Sequence, residues 1–280
     1  MIDAFLLIFA GIVGGLTASG PVAIAQMCAT NNGILAVISS LRCFGPETAI
    51  FRREMHSGIS SFSYFFGKIT AQLPVTLINP LFFLATFYRL CNPEVDFIYL
   101  YLILVCLNLS GSGLGYVLSL TMPQKSAQLA AVVCGLIALM CGGVTPTLRS
   151  LMSSVAGNSM VYLTYGPFTM GSILLAGLLS DKTFKAELPA RTQFMYDRGY
   201  IDTIDGQNML SDEDIDNARQ KLLTRSVQLA CTMLFQYIVF VFISFLLIWF
   251  FARAENGGFL KSMGQVSERS ERAFERRELN

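Results

Sequence analysis

Charge is scarce in this sequence, histidine nearly absent, and no phosphate-binding loop is spelled. Lys, Arg, Asp and Glu make up 14% of the 280 residues, against roughly a quarter in a soluble domain. The net charge is +1 and no basic face interleaves with aromatics, which argues against a nucleic-acid partner. A single histidine, His56, rules out a Ser-His pair inside the bilayer and any histidine metal cluster. The seven cysteines, Cys28, Cys43, Cys91, Cys106, Cys134, Cys141 and Cys231, form no CxxC pair. That spacing argues against zinc, and they read as small buried hydrophobes. The pattern G-x-x-x-x-G-K-[ST] is missing: Gly67-Lys68 precedes Ile69, and Phe62 stands where the first glycine belongs.

What the sequence has is apolar length. Hydrophobic residues reach 53% and cluster in runs, and about 18 or more such residues cross a hydrocarbon core roughly 30 Å thick. The expected fold is an all-α membrane protein with six transmembrane helices, near residues 4–19, 23–44, 64–88, 97–122, 127–147 and 227–251. Asn31 and Asn32 interrupt the second, and Pro74 and Pro80 interrupt the third. The start, MIDAFLLIFAGIVGG, lacks the basic leader of a secretory signal and reads as a retained span. The apolar cores of spans one, two, four, five and six hold essentially no ionisable groups, which argues against an ion-coupled carrier, a channel or intramembrane catalysis.

Short-loop basic residues set the orientation. Arg42, Arg52, Arg53 and Lys68 lie around the second-to-third connection, Lys125 in the fourth-to-fifth turn, and Arg253 and Lys261 after the sixth span. Both termini are therefore expected in the cytosol, and residues 148–225 outside. Within that long extracellular segment, SMVYLTYGPFTMGSILLAGLLS is apolar but broken at Gly166-Pro167, and is expected to dip into the bilayer or lie on it. The following DRGYIDTIDGQNMLSDEDIDNARQKL is acidic without being a calcium loop: if Gly206 were the turn glycine, Ile201 would hold the first ligand position. A solvated surface is the plainer reading. Residues 1–253 form one membrane domain, and 254–280 a charged tail too polar to fold alone.

Leu109 to Gly113, LSGSG, superficially matches an ATPase signature, but lies in mid-span. Small residues allowing close helix packing explain it better. Asn108-Leu109-Ser110 is a glycosylation sequon by spelling alone, in the same span.

Between spans two and three, Arg52, Arg53 and Glu54 must stay out of the hydrocarbon, where one charge costs roughly 3 kcal/mol. Phe51 and Met55, four apart, share a helical face beside Ile50. The segment reads as a short amphipathic helix on the cytosolic surface, ended by Gly58; an interfacial stop-transfer loop explains the same charges.

The run SLRCFGPETAIFRREMHSG from Ser40 to Gly58, then SYFFGK from Ser63 to Lys68 and Leu73-Pro74, resembles the membrane domain of the ABCG (White/brown-complex) subfamily of ABC transporters. It is most similar to plant-type half-transporters. The family pattern is approximately E-x-x-x-F-x-R-E-x-x-x-G, then Y-F-x-x-K and L-P. The resemblance implies an ABC-2 type permease that exports lipophilic compounds or lipids by alternating access. Its implied partners are a nucleotide-binding domain in cis or trans, which would bind ATP and Mg, and a second ABCG half-transporter in a homo- or heterodimer. Carried over, Glu47, Phe51, Arg53, Glu54 and Gly58 belong to the helix that couples to the ATPase.

The resemblance also implies a path between spans two and five of two protomers. Its candidates are Leu35, Leu136, Leu139, Met140, Val144 and Thr145, for which ordinary helix packing is the competing explanation. Leu35 replaces an aromatic clamp of multidrug members, which weighs against flat aromatic drugs. Ser172 stands where the family often has a glutamate. The family carries its ATPase domain before span one, where this sequence starts, so that domain is expected from a separate chain or lost by truncation. The alternative function is a non-transporting paralogue that heterodimerises with full-length transporters and regulates them. A plasma or organelle membrane suits either.

Overall fold

A computed structural model describes residues 2–18, 20–44, 60–93, 95–180, 193–200, 220–250 and 253. The expected coupling residues Glu47, Phe51, Arg53, Glu54 and Gly58, the acidic stretch 201–219 and the tail 254–280 lie outside the described residues.

The described chain is helical, without a strand among the described residues. Helix α1 is Ile2–Thr17, α2 Pro21–Ser40, α3 Ser61–Cys91, α4 Phe97–Thr121 and α5 Gln124–Met140. Three shorter elements follow, α6 Leu148–Met152, α7 Val155–Leu163 and α8 Gly166–Ser180. Residues 193–198 form α9, and Gln220–Phe250 is α10. Four of these, α2, α3, α4 and α10, are long and apolar enough to cross a membrane, while α1 and α5 contain shorter apolar helices, Ala4–Thr17 and Ser126–Met140.

The polar and proline interruptions of the second and third apolar runs leave their helices continuous, as the expected spans 23–44 and 64–88 require. Asn31 and Asn32 continue α2, whose first turn uses Pro21, where a missing N–H costs nothing. Helix α3 runs through Pro74 and Pro80, starting from Ser60, whose Oγ accepts from Ser63 N. The helix within the stretch expected as a fifth span, 127–147, ends before that stretch does. Helix α5 stops at Met140, because Cys141 caps it and Gly143 adopts a left-handed φ of 89°. Val144 and Thr145 therefore lie past the helix.

The core forms around α2 and α4. Helix α1 packs on α3, and α2 on α4, α5 and α8. The LSGSG stretch makes this possible. A Cβ on Gly111 would lie 3.0 Å from Ala36 Cβ on α2, whereas one on Gly113 would lie 2.9 Å from Phe240 Cβ on α10. The two glycines thus admit different helices to two sides of α4, as close packing within a membrane requires. Asn108 of the sequon is buried in the same helix.

The apolar stretch after α5 does break at Gly166. Helix α7 ends at Leu163 and α8 begins after Tyr165. Its residues Phe168 to Gly177 are all buried, so α8 is an inner element of the bundle. The Gln236 side chain on α10 meets the break: its Nε2 donates to the Tyr162 and Thr164 carbonyls at 2.7 and 3.2 Å. Ser110 Oγ on α4 donates to the same side chain's Oε1 at 3.0 Å. Backbone groups freed in a low-dielectric interior are thereby satisfied from a neighbouring helix.

Residues 193–200 dock on the exit of α5. Buried Tyr200 donates its phenol proton to the Gly142 carbonyl. Burial pushes this phenol up from its ordinary value near 10, partly offset by the Arg198 guanidinium. The folded chain therefore holds the Tyr200 proton to higher pH than the unfolded chain does. Stability from this group is complete below about pH 10 and declines as pH rises beyond it. Tyr200→Phe is expected to cost about 1–2 kcal/mol at pH 7 by leaving Gly142 without its donor. Thermal unfolding in detergent at pH 7 and at about pH 11 should show the gap between the two proteins narrowing at the alkaline value.

Candidate functional site

Helix α2 leaves the bundle through Leu41 to Phe44, and this exit is fixed by aromatic packing. The Phe44 ring stacks on Phe65 at 5.7 Å and meets Tyr116 edge-on at 5.7 Å. Phe65 also lies 5.7 Å from Phe245 on α10. With Cys43, Ile69 and Ile248, these residues form a second, smaller hydrophobic cluster. Ser119 Oγ donates to Leu41 O at 3.0 Å, adding a polar tie between α4 and the end of α2. The chain from 45 to 59 thus departs from and returns to one anchored block, made of the ends of α2, α4 and α10 and the start of α3. Nothing in the apolar periodicity singled out Phe44 or Tyr116; the SYFFGK motif held Phe65, without its role.

The candidate path residues separate into four settings. Leu139 and Val144 line a cleft, together with Gln26 and Thr30 of α2, Tyr165 just before α8 and Met170 within it. Its volume is only about 10 Å³, so the helices are nearly closed on one another here. Leu136 and Met140 are instead exposed, and with Leu129 and Val133 make an apolar stripe along the outside of α5. Leu35 is half-buried against the main core, and Thr145 is exposed beyond the helix. The six candidates are therefore not one surface within a single chain.

The sequence reading treated Asn31 and Asn32 as an interruption and missed what the fold does with the second. Asn32 is fully buried, one turn along α2 from cleft-lining Ala29, and neither its Oδ1 nor its Nδ2 has a partner. The buried Tyr165 hydroxyl and Asn108 Nδ2 are also unpartnered. The Tyr165 ring lies against Gly33, where an added Cβ would sit 2.7 Å from Cζ. Buried polar groups are nearly always hydrogen-bonded, so orphans cost about 1–3 kcal/mol each. Polar residues inside an apolar run were the available signal. Ser172, at the position of the family glutamate, is fully buried and donates to Phe168 O at 2.7 Å within its own helix.

The sequence profile of a family described as ABC-2 type transporter matches residues 1–177. "ABC transporter G family member 25" of Oryza sativa subsp. japonica is 28% identical over 144 residues, covering 51% of this chain and 13% of that protein. "Putative white-brown complex homolog protein 30" of Arabidopsis thaliana is 29% identical over 135 residues, covering 48% and 12% respectively. The match thus spans about an eighth of each relative's length. Apolar helices able to cross a membrane, a short-residue interface between α2 and α4, and the Ser40–Gly58 pattern agree with these similarities. The chain belongs to the ABC-2 type transporter family, and it carries a transmembrane domain of the ABCG, White/brown-complex kind.

Proposed function

We propose that this chain is the membrane-spanning permease half of an ATP-driven exporter of lipophilic compounds or lipids. The observation that carries the reading is the R-E-x-x-x-G pattern at 53–58, in a segment whose two ends join the aromatic block at Phe44 and Phe65. A push on that segment would reach α2, α3, α4 and α10 together, because their ends pack as one unit. Two protomers would meet along the exposed stripe of α5, with the path between them. Six helices would cross the membrane, the shorter α1 and α5 among them, with both termini cytosolic. Helix α5 would move against α2 across the cleft, and the unpartnered Asn32 and Tyr165 are the groups that would gain partners in the other state.

No residue pattern in this chain fits ATP phosphates. ATP and Mg would therefore be held by a nucleotide-binding domain, in cis or in trans. This chain's own part is to bind the lipophilic substrate with different affinity in its two states, since only that difference lets the motion do work.

Full chain reconstituted with an ABCG ATPase domain is expected to stimulate ATP hydrolysis, with the stimulation reduced about tenfold in Glu54→Ala, the loss of one charged contact of roughly 1.4 kcal/mol. Unchanged stimulation in that variant would remove the coupling role. Stable capture of a full-length ABCG protein whose transport then falls would favour the regulatory alternative.

A further inference from the structure

We propose that a phospholipid binds a lateral groove between α7, the segment ending at Tyr200 and the first turns of α10, with its phosphate at Arg225. The groove has a volume of about 660 Å³, within the roughly 300–1,000 Å³ of small-molecule sites. Its lining combines polar Thr224, Arg225 and Gln228 from the first turns of α10 with apolar residues that include Tyr162, Phe168 and Leu229. Arg225 is the one charged side chain among the described residues that line it.

The depth of the groove decides what kind of ligand it suits. Trp249 stacks with the Arg253 guanidinium at 5.3 Å, forming an aromatic and basic anchor at one membrane surface. At 1.5 Å per residue, about 30 Å of helix separates Trp249 from Leu229, which is the thickness of the hydrocarbon core. Leu229 then sits at the opposite boundary, and Arg225, one turn further, at headgroup level. Cys231 and Thr232, also on the wall, fall on the hydrocarbon side. The groove therefore crosses the boundary with its cation outside and its apolar floor inside.

A soluble anion would use the cation and leave the floor empty, whereas a neutral lipid would fill the floor and ignore the cation. A diacyl lipid carrying a phosphate uses both. Arg225 Nη1 reaches Gln228 Oε1 at 3.5 Å, a contact that uses one of the five N–H donors of a guanidinium. The site depends on α10 crossing the membrane and on nothing in the transport cycle.

The test uses full chain in phosphatidylcholine vesicles doped with phosphatidylglycerol bearing a mid-chain diazirine. Diacylglycerol with the same labelled chains serves as the phosphate-free comparison. Crosslinks from phosphatidylglycerol are expected to concentrate on Tyr162, Phe168 and Leu229 over the lipid-exposed Phe235 and Phe242 of α10. Arg225→Gln should lower that labelling about tenfold, as expected for one charge-assisted bond, without changing diacylglycerol labelling. Thr232→Trp, which occupies the apolar end, should lower groove labelling with Arg225 intact. Labelling spread evenly along α10, or insensitive to both substitutions, would overturn the proposal. Competition by inorganic phosphate would overturn it too, by assigning the site to a soluble anion.

Discussion

Gly115→Leu is expected to remove most of the folded protein, with a cost of about 3 kcal/mol or more for overpacking a helix contact that has no slack. A Cβ at this position would lie 2.7 Å from both Ser40 Cβ and the Val37 carbonyl oxygen. The carbonyl is part of α2's own hydrogen-bonded backbone, so no rotamer change relieves the clash and α2 must move away. One turn earlier, Gly111 approaches Ala36 Cβ and the Gly33 carbonyl, so separation would undo the contact over successive turns. Lipid cannot restore what is lost, because apolar side chains gain little from leaving one hydrocarbon surface for another. Gly67 on α3 is the control, since a Cβ there meets nothing within 4 Å. Gly67→Ala should be neutral or gain about 0.5–1 kcal/mol from helix propensity. The readouts are the monodisperse fraction after detergent extraction and the thermal midpoint. A Gly115→Leu protein as monodisperse as wild type would mean that α2 and α4 are not so closely packed.

The same glycines show how much of the molecule was legible in sequence. LSGSG inside an apolar run could be read as a packing device, because glycines in mid-span have few other uses. Which helix each glycine would admit could not be read, since Gly111 and Gly113 serve different neighbours and that depends on tertiary arrangement. The break at Gly166-Pro167 was legible for a similar reason, but the burial of α8 was not. Its composition, GPFTMGSILLAGLL, suits a bilayer surface as well as a bundle interior, and only contacts with α2, α4 and α5 separate the two. Asn31, Asn32, Pro74 and Pro80 interrupt the apolar runs without ending their helices, because tertiary neighbours override propensity inside a bundle. The end of α5, by contrast, was missed. Cys141-Gly142-Gly143-Val144 is apolar enough to pass for a span, yet Gly143 turns the chain at a positive φ. The resemblance named Leu139 and Val144, which line the cleft without that testing a role in transport, while Asn32 and the Phe44–Phe65–Tyr116 block emerged only from packing. Isolated polar and aromatic residues carry no period that marks them in advance.

Gln236→Leu should have the second-largest effect, localised to the break between α7 and α8. Leucine nearly matches glutamine in size, so the expected damage is polar rather than steric. The Tyr162 and Thr164 carbonyls would lose the Nε2 donor and Ser110 its acceptor. Single interhelical hydrogen bonds in membranes average only about 0.6 kcal/mol, because the unfolded chain also finds partners. Here one side chain serves two carbonyls at the break and the buried Ser110 hydroxyl, and the combined loss is estimated at about 2–3 kcal/mol. That corresponds to a fall of roughly 5–10 °C in thermal midpoint for a chain of this size. Hydrogen exchange should locate the change, with protection falling across residues 164–170 and persisting along α4. Gln236→Glu separates donor loss from simple polarity. An ionised carboxylate at this depth adds roughly 3 kcal/mol and still cannot donate to the two carbonyls, so it should be worse than leucine at pH 7. Protonation returns an O–H donor, and lowering the pH should restore part of its stability while leaving Gln236→Leu unchanged. Equal exchange in wild type and Gln236→Leu would show that the break is held by the packing of α8 alone, with α10 contributing only apolar contact.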